Sequence, residues 1–508
     1  HLSFVATNVN MQGEKAMSRD LLFEKAGLPY VDQLIIYDID GLVSLAAVTN
    51  GLYWEEYSIF EVNSSEELRF IYERNCRQTK ERTILIIPSL DIQIPYDIYK
   101  QFTIVNLGLD TVFSKLDSPT LRDFRNIDFN YLSVAIKFLS GNRLTAKQTK
   151  AFLTTDMFNQ DVVDAFSTSA TRELMMRLPL CKTYRDWTPV IDLLSKLMLL
   201  RDKGFSIKNI QDIYSSVNLT FRNWTSERYP SLAVSADINQ PVMLHHILDY
   251  VRRNSQKPAV IVIDGMSFVD WQLIQESFAD APWSLNVNAV FSFIPTITSI
   301  ARQSLFSGAL PVQNTKTFSL ADEEKQWQQY WMEHGLRDDE IYFGKTETPE
   351  ISEKVKAAGI VINFIDDLMH RQLQGTHGMV VDIVTWLKNG TLRNMVESLL
   401  SAGFDVYITA DHGHTEAVGM GRFSKPGLLT EEVSRRAVIY KDFAGAEELD
   451  KFKVYEYAGT YMPKNYRYFL FANGECIGDH GNKYITHGSD SIEELLVPFV
   501  RIGEKNYD

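Results

Sequence analysis

The chain has 508 residues, with 51 basic and 65 acidic side chains, and its net charge at neutral pH is −14. This balance excludes the strongly basic proteins that coat nucleic acid. Hydrophobic residues make up 45% and charged residues 23%, which is typical of a globular protein and excludes a disordered or fibrous chain. No apolar run reaches the roughly 18 residues that cross a bilayer, so no membrane segment is expected.

The three cysteines, Cys76, Cys181 and Cys476, are far apart and form no CxxC pair. This spacing predicts neither a disulfide framework nor a zinc site built from thiolates. A reducing, cytoplasmic location is therefore expected.

The first part of the chain alternates apolar runs with helical patterns. Residues 33–37, 83–87 and 102–106 are predicted to be strands, and residues 64–73 a helix. We expect a small α/β domain over residues 1–117.

From residue 118 to residue 254 the apolar spacing becomes helical, most clearly at 131–139 and 187–200. This pattern predicts a helical middle region.

After Pro258 the chain carries short apolar runs that each end in a polar or glycine-containing turn, with helical patterns between them. The predicted strands are residues 259–263, 287–294, 361–365, 405–409 and 497–502. This order predicts a doubly wound α/β domain over residues 255–508. The β-rich segment 433–474 is expected to be an insertion or cap.

Two predicted strands of this domain run directly into acidic side chains. Asp264 follows the first strand in VIVIDGMS, and Asp411, His412, Gly413 and His414 follow another in FDVYITADHGHTE. In an open α/β sheet, ligands bind at the carboxyl ends of the strands, so these side chains are candidate metal ligands. An Asp-Gly pair is also a common turn, which leaves a structural role open for Asp264.

A hydroxyl-rich segment, FIPTITSIARQSLFSG, spans residues 293–308. Thr296, Thr298 and Ser299 precede or begin a predicted helix that ends at Gly308. The positive end of a helix dipole favours a phosphate beside such a hydroxyl. A plain helix N-cap explains the same pattern.

Two further histidines accompany acidic or glycine-containing motifs. Asp366 and His370 lie four residues apart, on one face of a helix, where they can share a cation or form an ordinary surface pair. His487 precedes a glycine and a helix start in ITHGSDSIEELLVPFV. His480, in a second Asp-His-Gly that no apolar strand precedes, is the alternative to His487.

These motifs supply six nitrogen and oxygen ligands without a thiolate, together with one hydroxyl. Such a set suits two divalent ions, zinc or manganese. Paired metals stabilise the entering and leaving oxygens of a phosphoryl displacement, and metal coordination can activate a threonine. The candidate ligands are Asp264, Asp366, His370, Asp411, His412 and His487, and the candidate hydroxyl is Thr298.

In this order, the motifs resemble the alkaline phosphatase superfamily and, within it, the PglZ proteins of BREX phage-defence systems. The resemblance rests on IDGMS, IPTITSIARQSLFSG, the Asp366–His370 pair, ITADHGH and THGSDSIEELLVPFV, which lie within residues 258–503. More loosely, YDIDGL near residue 37 and ELRFIYE near residue 67 resemble the amino-terminal region of some BREX PglZ proteins.

The resemblance implies a role for each of these side chains. Thr298 would be the metal-bound nucleophile, with Thr296 as the alternative. One metal would be bound by Asp366, His370 and His487, and the other by Asp264, Asp411, His412 and Thr298. Many diesterase relatives place an asparagine in the helix where this chain has Ala301 and Arg302, so Arg302 is a candidate phosphate ligand.

The implied activity is metal-dependent hydrolysis of a phosphate ester, most simply a diester, with nucleic acid or a nucleotide as the substrate that a defence role suggests. Zinc is the expected metal, with manganese or magnesium as alternatives. Arg422 and Lys425 are candidate substrate contacts.

Two other functions fit the same motifs. The domain could be a non-catalytic metal-binding scaffold or regulatory subunit that assembles with a methyltransferase or an ATPase. It could also be a phosphomutase, whereas threonine at position 298 argues against the formylglycine chemistry of sulfatases.

Overall fold

A computed structural model describes residues 18–28, 30–45, 57–78, 81–314, 318–372, 374–422, 430–441, 449 and 452–504. The chain divides into two compact units, His1–Arg172 and Glu173–Asp508. The three predicted domains, with boundaries near residues 117 and 254, stay a prediction.

The first unit contains a four-stranded parallel sheet in the order β2-β3-β1-β4. Its strands are β1 (Gln33–Tyr37), β2 (Ser58–Glu61), β3 (Thr83–Ile87) and β4 (Thr103–Asn106). Its helices are α1 (Ser18–Lys25), α2 (Leu42–Leu45), α3 (Ser65–Ile71), α4 (Tyr96–Gln101), α5 (Leu109–Val112), α6 (Ser118–Asp123), α7 (Phe129–Ala135), α8 (Ala146–Ala151) and most of α9 (Gln160–Arg177).

The centre of this sheet is apolar, because β3 buries all five of its side chains. Ile35 of β1 and Leu85 of β3 pack with Leu68 of α3 in one hydrophobic cluster. Parallel strands covered on both faces form continuous apolar runs in the sequence. For this reason the predicted strands 33–37 and 83–87 are confirmed to the residue.

Residues 118–254 are all described and form helices and connecting turns, so the predicted helical content is confirmed. In the second unit the helices before the main sheet are α10 (Trp187–Asp202), α11 (Ile210–Arg228) and α12 (Ile247–Asn254). The later helices are α13 (Phe268–Ser277), α14 (Thr298–Ser307), α15 (Pro311–Asn314), α16 (Glu323–Glu333), α17 (Phe364–Arg371), α18 (Gly375–Lys388), α19 (Thr391–Ser401) and α20 (Ile492–Leu495).

The second unit is built on a six-stranded sheet in the order β6-β17-β9-β5-β8-β7. Strand β17 is antiparallel to both of its neighbours, and β9, β5, β8 and β7 are mutually parallel. The strands are β5 (Pro258–Ile263), β6 (Trp283–Phe291), β7 (Ile341–Lys345), β8 (Ala357–Ile362), β9 (Asp405–Thr409) and β17 (Leu496–Glu504). This mixed sheet with covering helices confirms the predicted α/β class.

Two predicted strand positions were wrong in part. The strand predicted at 361–365 is β8, which begins at Ala357, and α17 begins at Phe364. One of its first residues, Gly359, lies against Trp327, and a Cβ there would be 2.9 Å from the Trp327 ring. The strand predicted at 287–294 is β6, which ends at Phe291 where its pairing with β17 ends.

Two smaller sheets complete the second unit. One has the order β15-β10-β16, and the other is antiparallel with the order β11-β12-β14-β13. Their strands are β10 (Thr415–Gly419), β11 (Thr430–Val433), β12 (Ala437–Lys441), β13 (Val454–Tyr457), β14 (Tyr466–Phe471), β15 (Glu475–Cys476) and β16 (Lys483–Thr486).

The antiparallel sheet occupies the β-rich segment predicted at 433–474, and we call β11 to β14 the cap sheet. Val438, Phe469 and Phe471 form its own hydrophobic cluster. Its assignment as an inserted cap stays a prediction. None of the described helices combines the length and the hydropathy that crossing a bilayer requires.

Candidate metal centre

The candidate side chains follow strands that end at one edge of the six-stranded sheet. Asp264 follows β5, Asp366 lies in the helix after β8, and Asp411 follows β9. Thr298 begins α14 after β6, and His487 lies shortly before the antiparallel strand β17, which starts at this same edge. The sheet topology therefore brings five distant parts of the chain together.

Five of the predicted ligands form two groups that share one histidine. Asp264, Asp411 and His412 each present a ligand atom within 4.8 Å of the others, and we call this set the Asp264 group. The Asp366 group consists of Asp366, His412 and His487 with the same spacing. Each group gathers enough carboxylate oxygens and imidazole nitrogens to bind a cation.

The two imidazoles are close because the Asp-His-Gly turn packs against the segment after His487. The amide of Gly413 donates to the carbonyl of Glu494 at 2.9 Å. A Cβ on Gly413 would lie only 1.9 Å from the carbonyl oxygen of Glu493, so glycine is needed for this approach. The rings of His412 and His487 stack with their centroids 3.9 Å apart.

Backbone carbonyls set the tautomers of both histidines. Nδ1 of His412 lies 2.9 Å from the carbonyl oxygen of Gly413, and Nδ1 of His487 lies 2.7 Å from that of Thr296. A carbonyl only accepts hydrogen bonds, so both Nδ1 atoms carry the proton. Each Nε2 therefore keeps a lone pair that can ligate a metal.

Three buried carboxylate oxygens in the two groups have no hydrogen-bond partner: Oδ1 of Asp264, Oδ1 of Asp366 and Oδ2 of Asp411. Unpartnered charged oxygens are destabilising unless a cation balances them. Burial, together with the nearby Asp411, raises the pKa of Asp264, and burial raises the pKa of Asp411 to about 6. The donor set fits divalent cations.

Charge and burial also act on the Asp366 group. Although burial opposes ionisation, a hydrogen bond from His370 and the neighbouring imidazoles lower the pKa of Asp366 to about 2. Burial and the adjacent His412 lower the pKa of His487 to about 3, so His487 is neutral at physiological pH. A carboxylate beside a neutral imidazole is the protonation state that a metal site requires.

Thr298, rather than Thr296, lies at the two groups. Oγ1 of Thr298 lies 2.8 Å from Nε2 of His412 and donates its proton there. The hydroxyl of Thr296 donates to the carbonyl of Ser489 and accepts from the amide of Gly488, which fixes the loop after His487. The N-cap of α14 is Ile297, so Thr298 does not serve as a simple cap.

His370 lies at the rim and not within either group. Its side chain is 63% exposed, and its Nε2 is 3.4 Å from Oδ2 of Asp366. Among the described residues, the side chain grouped with Asp366 and His487 is that of His412. The assignment of His370 as a third ligand beside them stays a prediction. One helical turn separates His370 from Asp366 and carries it towards the exposed end of α17.

Arg302 has partners that the sequence did not indicate. It is 1% exposed, and its Nη1 donates to Oδ2 of Asp264 at 2.6 Å. Its Nε and Nη2 donate to both carboxylate oxygens of Glu323 at 2.9 and 2.7 Å. Glu323 was missed because it lies in the acidic run Asp322 to Glu324, which is typical of a solvated helix start. The predicted contact of Arg302 with phosphate stays a prediction.

The remaining candidates lie outside the two groups. Arg422 is 70% exposed and forms an ion pair with Asp479 at 2.7 Å. Lys425 lies outside the described residues. The alternative ligand His480 is exposed in the turn between β15 and β16.

Of the two other histidines near these motifs, His414 is buried, and its Nε2 donates to Oδ2 of Asp270 at 2.8 Å. Burial lowers the pKa of His414, but the Asp270 carboxylate outweighs it and raises the pKa overall. Nδ1 of His377 donates to the carbonyl of Asp202 at 2.8 Å. Neither is hydrogen-bonded to a member of the two groups through these atoms.

Several solved structures resemble this chain. Murine ectonucleotide pyrophosphatase/phosphodiesterase 5 is 15% identical with a TM-score of 0.36, over 48% of this chain and 88% of that protein. The human protein of the same name is 14% identical with a TM-score of 0.35, over 49% and 88%. Phosphonoacetate hydrolase from Sinorhizobium meliloti 1021 is 11% identical with a TM-score of 0.31, over 49% and 90%.

A comparison with curated proteins finds no match. A family model, described as the BREX system PglZ alkaline phosphatase-like domain, matches residues 242–502. This range contains every residue of the Asp264 and Asp366 groups, Thr298 and the whole six-stranded sheet except the last two residues of β17. The fold, the order of the motifs and this match agree, and the chain belongs to the PglZ family.

Proposed function

We propose that this protein is a metal-dependent phosphoester hydrolase that acts in BREX-type defence against phages. A phosphodiesterase is the first candidate among such hydrolases. The observation that carries the proposal is the convergence of three unpartnered carboxylate oxygens and two imidazole Nε2 atoms beside the hydroxyl of Thr298. Their chemistry suits two divalent cations, and zinc is the first candidate.

Each group would bind one cation. Asp264, Asp411 and His412 would bind the first. Asp366 and His487 would bind the second, and the exposed His370 is the proposed third ligand. When bound, the cations would offset the negative charge of the phosphoryl group and make the threonine hydroxyl more acidic.

Thr298 is the proposed nucleophile. Its Oγ1 would attack phosphorus, so that a Thr298–phosphate ester bond forms while the bond to the leaving alcohol breaks, and the alcohol departs with a proton. Water would then cleave the phospho-threonine and restore the hydroxyl. Oγ1 lies 2.8 Å from Nε2 of His412, so a cation bound to that Nε2 would lie beside the hydroxyl. The start of the ten-residue helix α14 favours the negative phosphate there.

The family description supports the defence role, because it is that of a BREX system domain. A nucleic acid or nucleotide diester is the substrate that this role suggests. The net charge of −14 opposes tight binding of a polyanion. A methyltransferase or ATPase of the same defence system is therefore the proposed source of affinity for DNA.

The proposal is tested by substituting Thr298 and measuring hydrolysis of bis(p-nitrophenyl) phosphate, p-nitrophenyl phosphate and a labelled oligonucleotide. Thr298→Ala should lower the rate of metal-dependent hydrolysis at least about 100-fold and leave the metal content unchanged. Thr298→Ser, which keeps a hydroxyl, should retain part of the rate. Thr348→Ala, at an exposed threonine, is the matched control.

Equal turnover of wild-type protein and Thr298→Ala would refute the threonine mechanism. A wild-type protein that binds two metals, shows no turnover on any of these esters and captures a methyltransferase or ATPase would instead support the scaffold function. The same Thr298→Ala substitution in a native BREX locus should abolish phage restriction if hydrolysis is the defence activity.

A further inference from the structure

A buried cation lies directly against the Asp264 group. The guanidinium of Arg302 donates through Nη1 to Oδ2 of Asp264, and through Nε and Nη2 to Glu323. The side chains of Arg302 and Glu323 are each only 1% exposed, and that of Asp264 is 5% exposed. Lys345 forms a second ion pair with Glu323. Such charge-assisted contacts are strong and directional.

These contacts give the two carboxylate oxygens of Asp264 different surroundings. Oδ2 is occupied by Arg302 at 2.6 Å, whereas Oδ1 is buried, has no hydrogen-bond partner and faces the Asp264 group. Oδ1 is therefore the oxygen that Asp264 presents to a cation, whereas Oδ2 is directed at Arg302. The carboxylate is held in this orientation before any ligand arrives.

Arg302 also links the ligand to the proposed nucleophile. It lies four residues after Thr298 in α14, on the same side of the helix. Glu323 is the first residue of α16, which packs against α14. A shift of α16 would move the guanidinium, and with it both Asp264 and the start of α14.

We infer that Arg302 and Glu323 are a positioning pair, which restricts Asp264 to one ligand oxygen and sets its place relative to Thr298. The inference rests on the proposed function and deepens it. It replaces a phosphate-binding role for Arg302: the planar guanidinium already uses Nη1, Nε and Nη2, and a substrate would have to break a buried, bidentate ion pair to reach it.

Loss of a partner that orients a metal ligand lowers metal affinity by about 10- to 100-fold. The effect should be confined to the Asp264 group, because the hydrogen-bond partners of Arg302 in the described part of the chain are Asp264, Glu323 and Asn363. Glu323→Gln removes the charge and keeps one acceptor oxygen for Arg302 in place of two, so its effect should be smaller than that of Arg302→Met, which removes the guanidinium altogether. Arg302→Lys keeps the positive charge but loses the planar group that binds both oxygens of Glu323, so its effect on metal affinity should be intermediate.

The experiment is calorimetric titration of chelator-treated protein with zinc. Wild-type protein should bind two equivalents. The variants are made in an Asp366→Asn background, which leaves the Asp264 group as the single metal site. Adding Arg302→Met should lower the affinity of this site for zinc by about 10- to 100-fold. Adding Glu323→Gln or Arg302→Lys should lower the affinity by less. Gln272→Leu, which breaks buried hydrogen bonds to Asp192 and Ser195, is the control for general destabilisation and should leave affinity unchanged.

Unchanged affinity in folded Arg302→Lys and Glu323→Gln would overturn the inference, as would an equal loss of affinity in Gln272→Leu. The milder variants keep the test decisive if Arg302→Met does not fold. Wild-type protein that binds no zinc, manganese or magnesium would overturn the proposed function together with the inference. If the metal affinities of the variants follow the predicted order but the wild-type protein hydrolyses none of the esters, only the proposed hydrolase activity would be overturned.

Discussion

Asp411→Asn should change the stability of this protein in opposite directions with and without metal. Asp411 is fully buried, and its Oδ1 accepts from the amides of Gly265 and His412 at 3.1 and 3.0 Å. Asparagine retains this oxygen and both hydrogen bonds. Only Oδ2, which has no hydrogen-bond partner, is replaced by an amide group.

In metal-free protein, the substitution removes a buried charge that lacks a partner. Such a group is unfavourable by about 1–3 kcal/mol, and by more when it is charged, so a gain of about 2 kcal/mol in the free energy of unfolding is expected at pH 8. Burial raises the pKa of Asp411 to about 6 in the folded state. Its unfavourable contribution is therefore complete above pH 6 and disappears below about pH 4, where both folded and unfolded states bind the proton.

With metal, the order of stability should reverse. A ligand at 100 times its dissociation constant adds about 2.7 kcal/mol per site to wild-type protein. The variant lacks one charged ligand of the Asp264 group and should gain little from metal at that site. Wild-type protein should then be at least as stable as the variant.

The assay is urea unfolding, followed by tryptophan fluorescence, at pH 8 and pH 5 with either EDTA or zinc. Asp270→Asn is the matched control, because Asp270 is equally buried but its Oδ2 accepts from Ser267 and His414. This control should lose stability under both conditions. If Asp411→Asn is less stable than wild-type protein in EDTA, or if metal stabilises both proteins equally, the argument about the unpartnered oxygen is wrong.

Two further substitutions test protonation at His245 and packing at Gly488. Burial and the adjacent His246 lower the pKa of His245 to about 3, so His245 alone should lower the free energy of unfolding by about 1.4 kcal/mol for each pH unit below 6.5. In urea unfolding between pH 5 and 8, His245→Gln should therefore reduce the pH dependence of stability, whereas the surface variant His480→Gln should not. Gly488 and Gly481 both have positive φ, but a Cβ on Gly488 would also lie 1.9 Å from Oγ of Ser434. Gly488→Ala should therefore destabilise the protein by about 1–3 kcal/mol more than Gly481→Ala in the same assay. Equal losses of stability would contradict the contact with Ser434.

The central strands could be predicted from the sequence because of how they are buried. Residues 405–409 are predicted and observed as β9, and the predicted strands 259–263 and 497–502 lie within β5 and β17. Strands with helices on both faces need apolar side chains on both faces, which makes a continuous run. The start of β8 was missed because Ala357, Ala358 and Gly359 are small and form no strongly apolar run; at Gly359 the Trp327 ring leaves no room for a Cβ.

The sequence could predict only those candidate site residues that directly follow strands. Asp264, Asp411 and His412 directly follow strands, so the general rule for α/β sheets located them. The spacing of Asp366 and His370 predicts that they share a helix face, but it does not predict that His370 is 63% exposed. The Arg302–Glu323 pair depends on packing between α14 and α16, and no local pattern indicates it.

The position of β17 has a consequence for synthesis of the protein. β17 lies inside the sheet, between β6 and β9, and among the described strands it is the only neighbour of β6. A nascent polypeptide cannot complete this sheet until residues 496–504 have left the ribosome, and His487 emerges only shortly before them. Prematurely terminated products would expose the unpaired sides of β6 and β9, and they would be prone to aggregation and proteolysis.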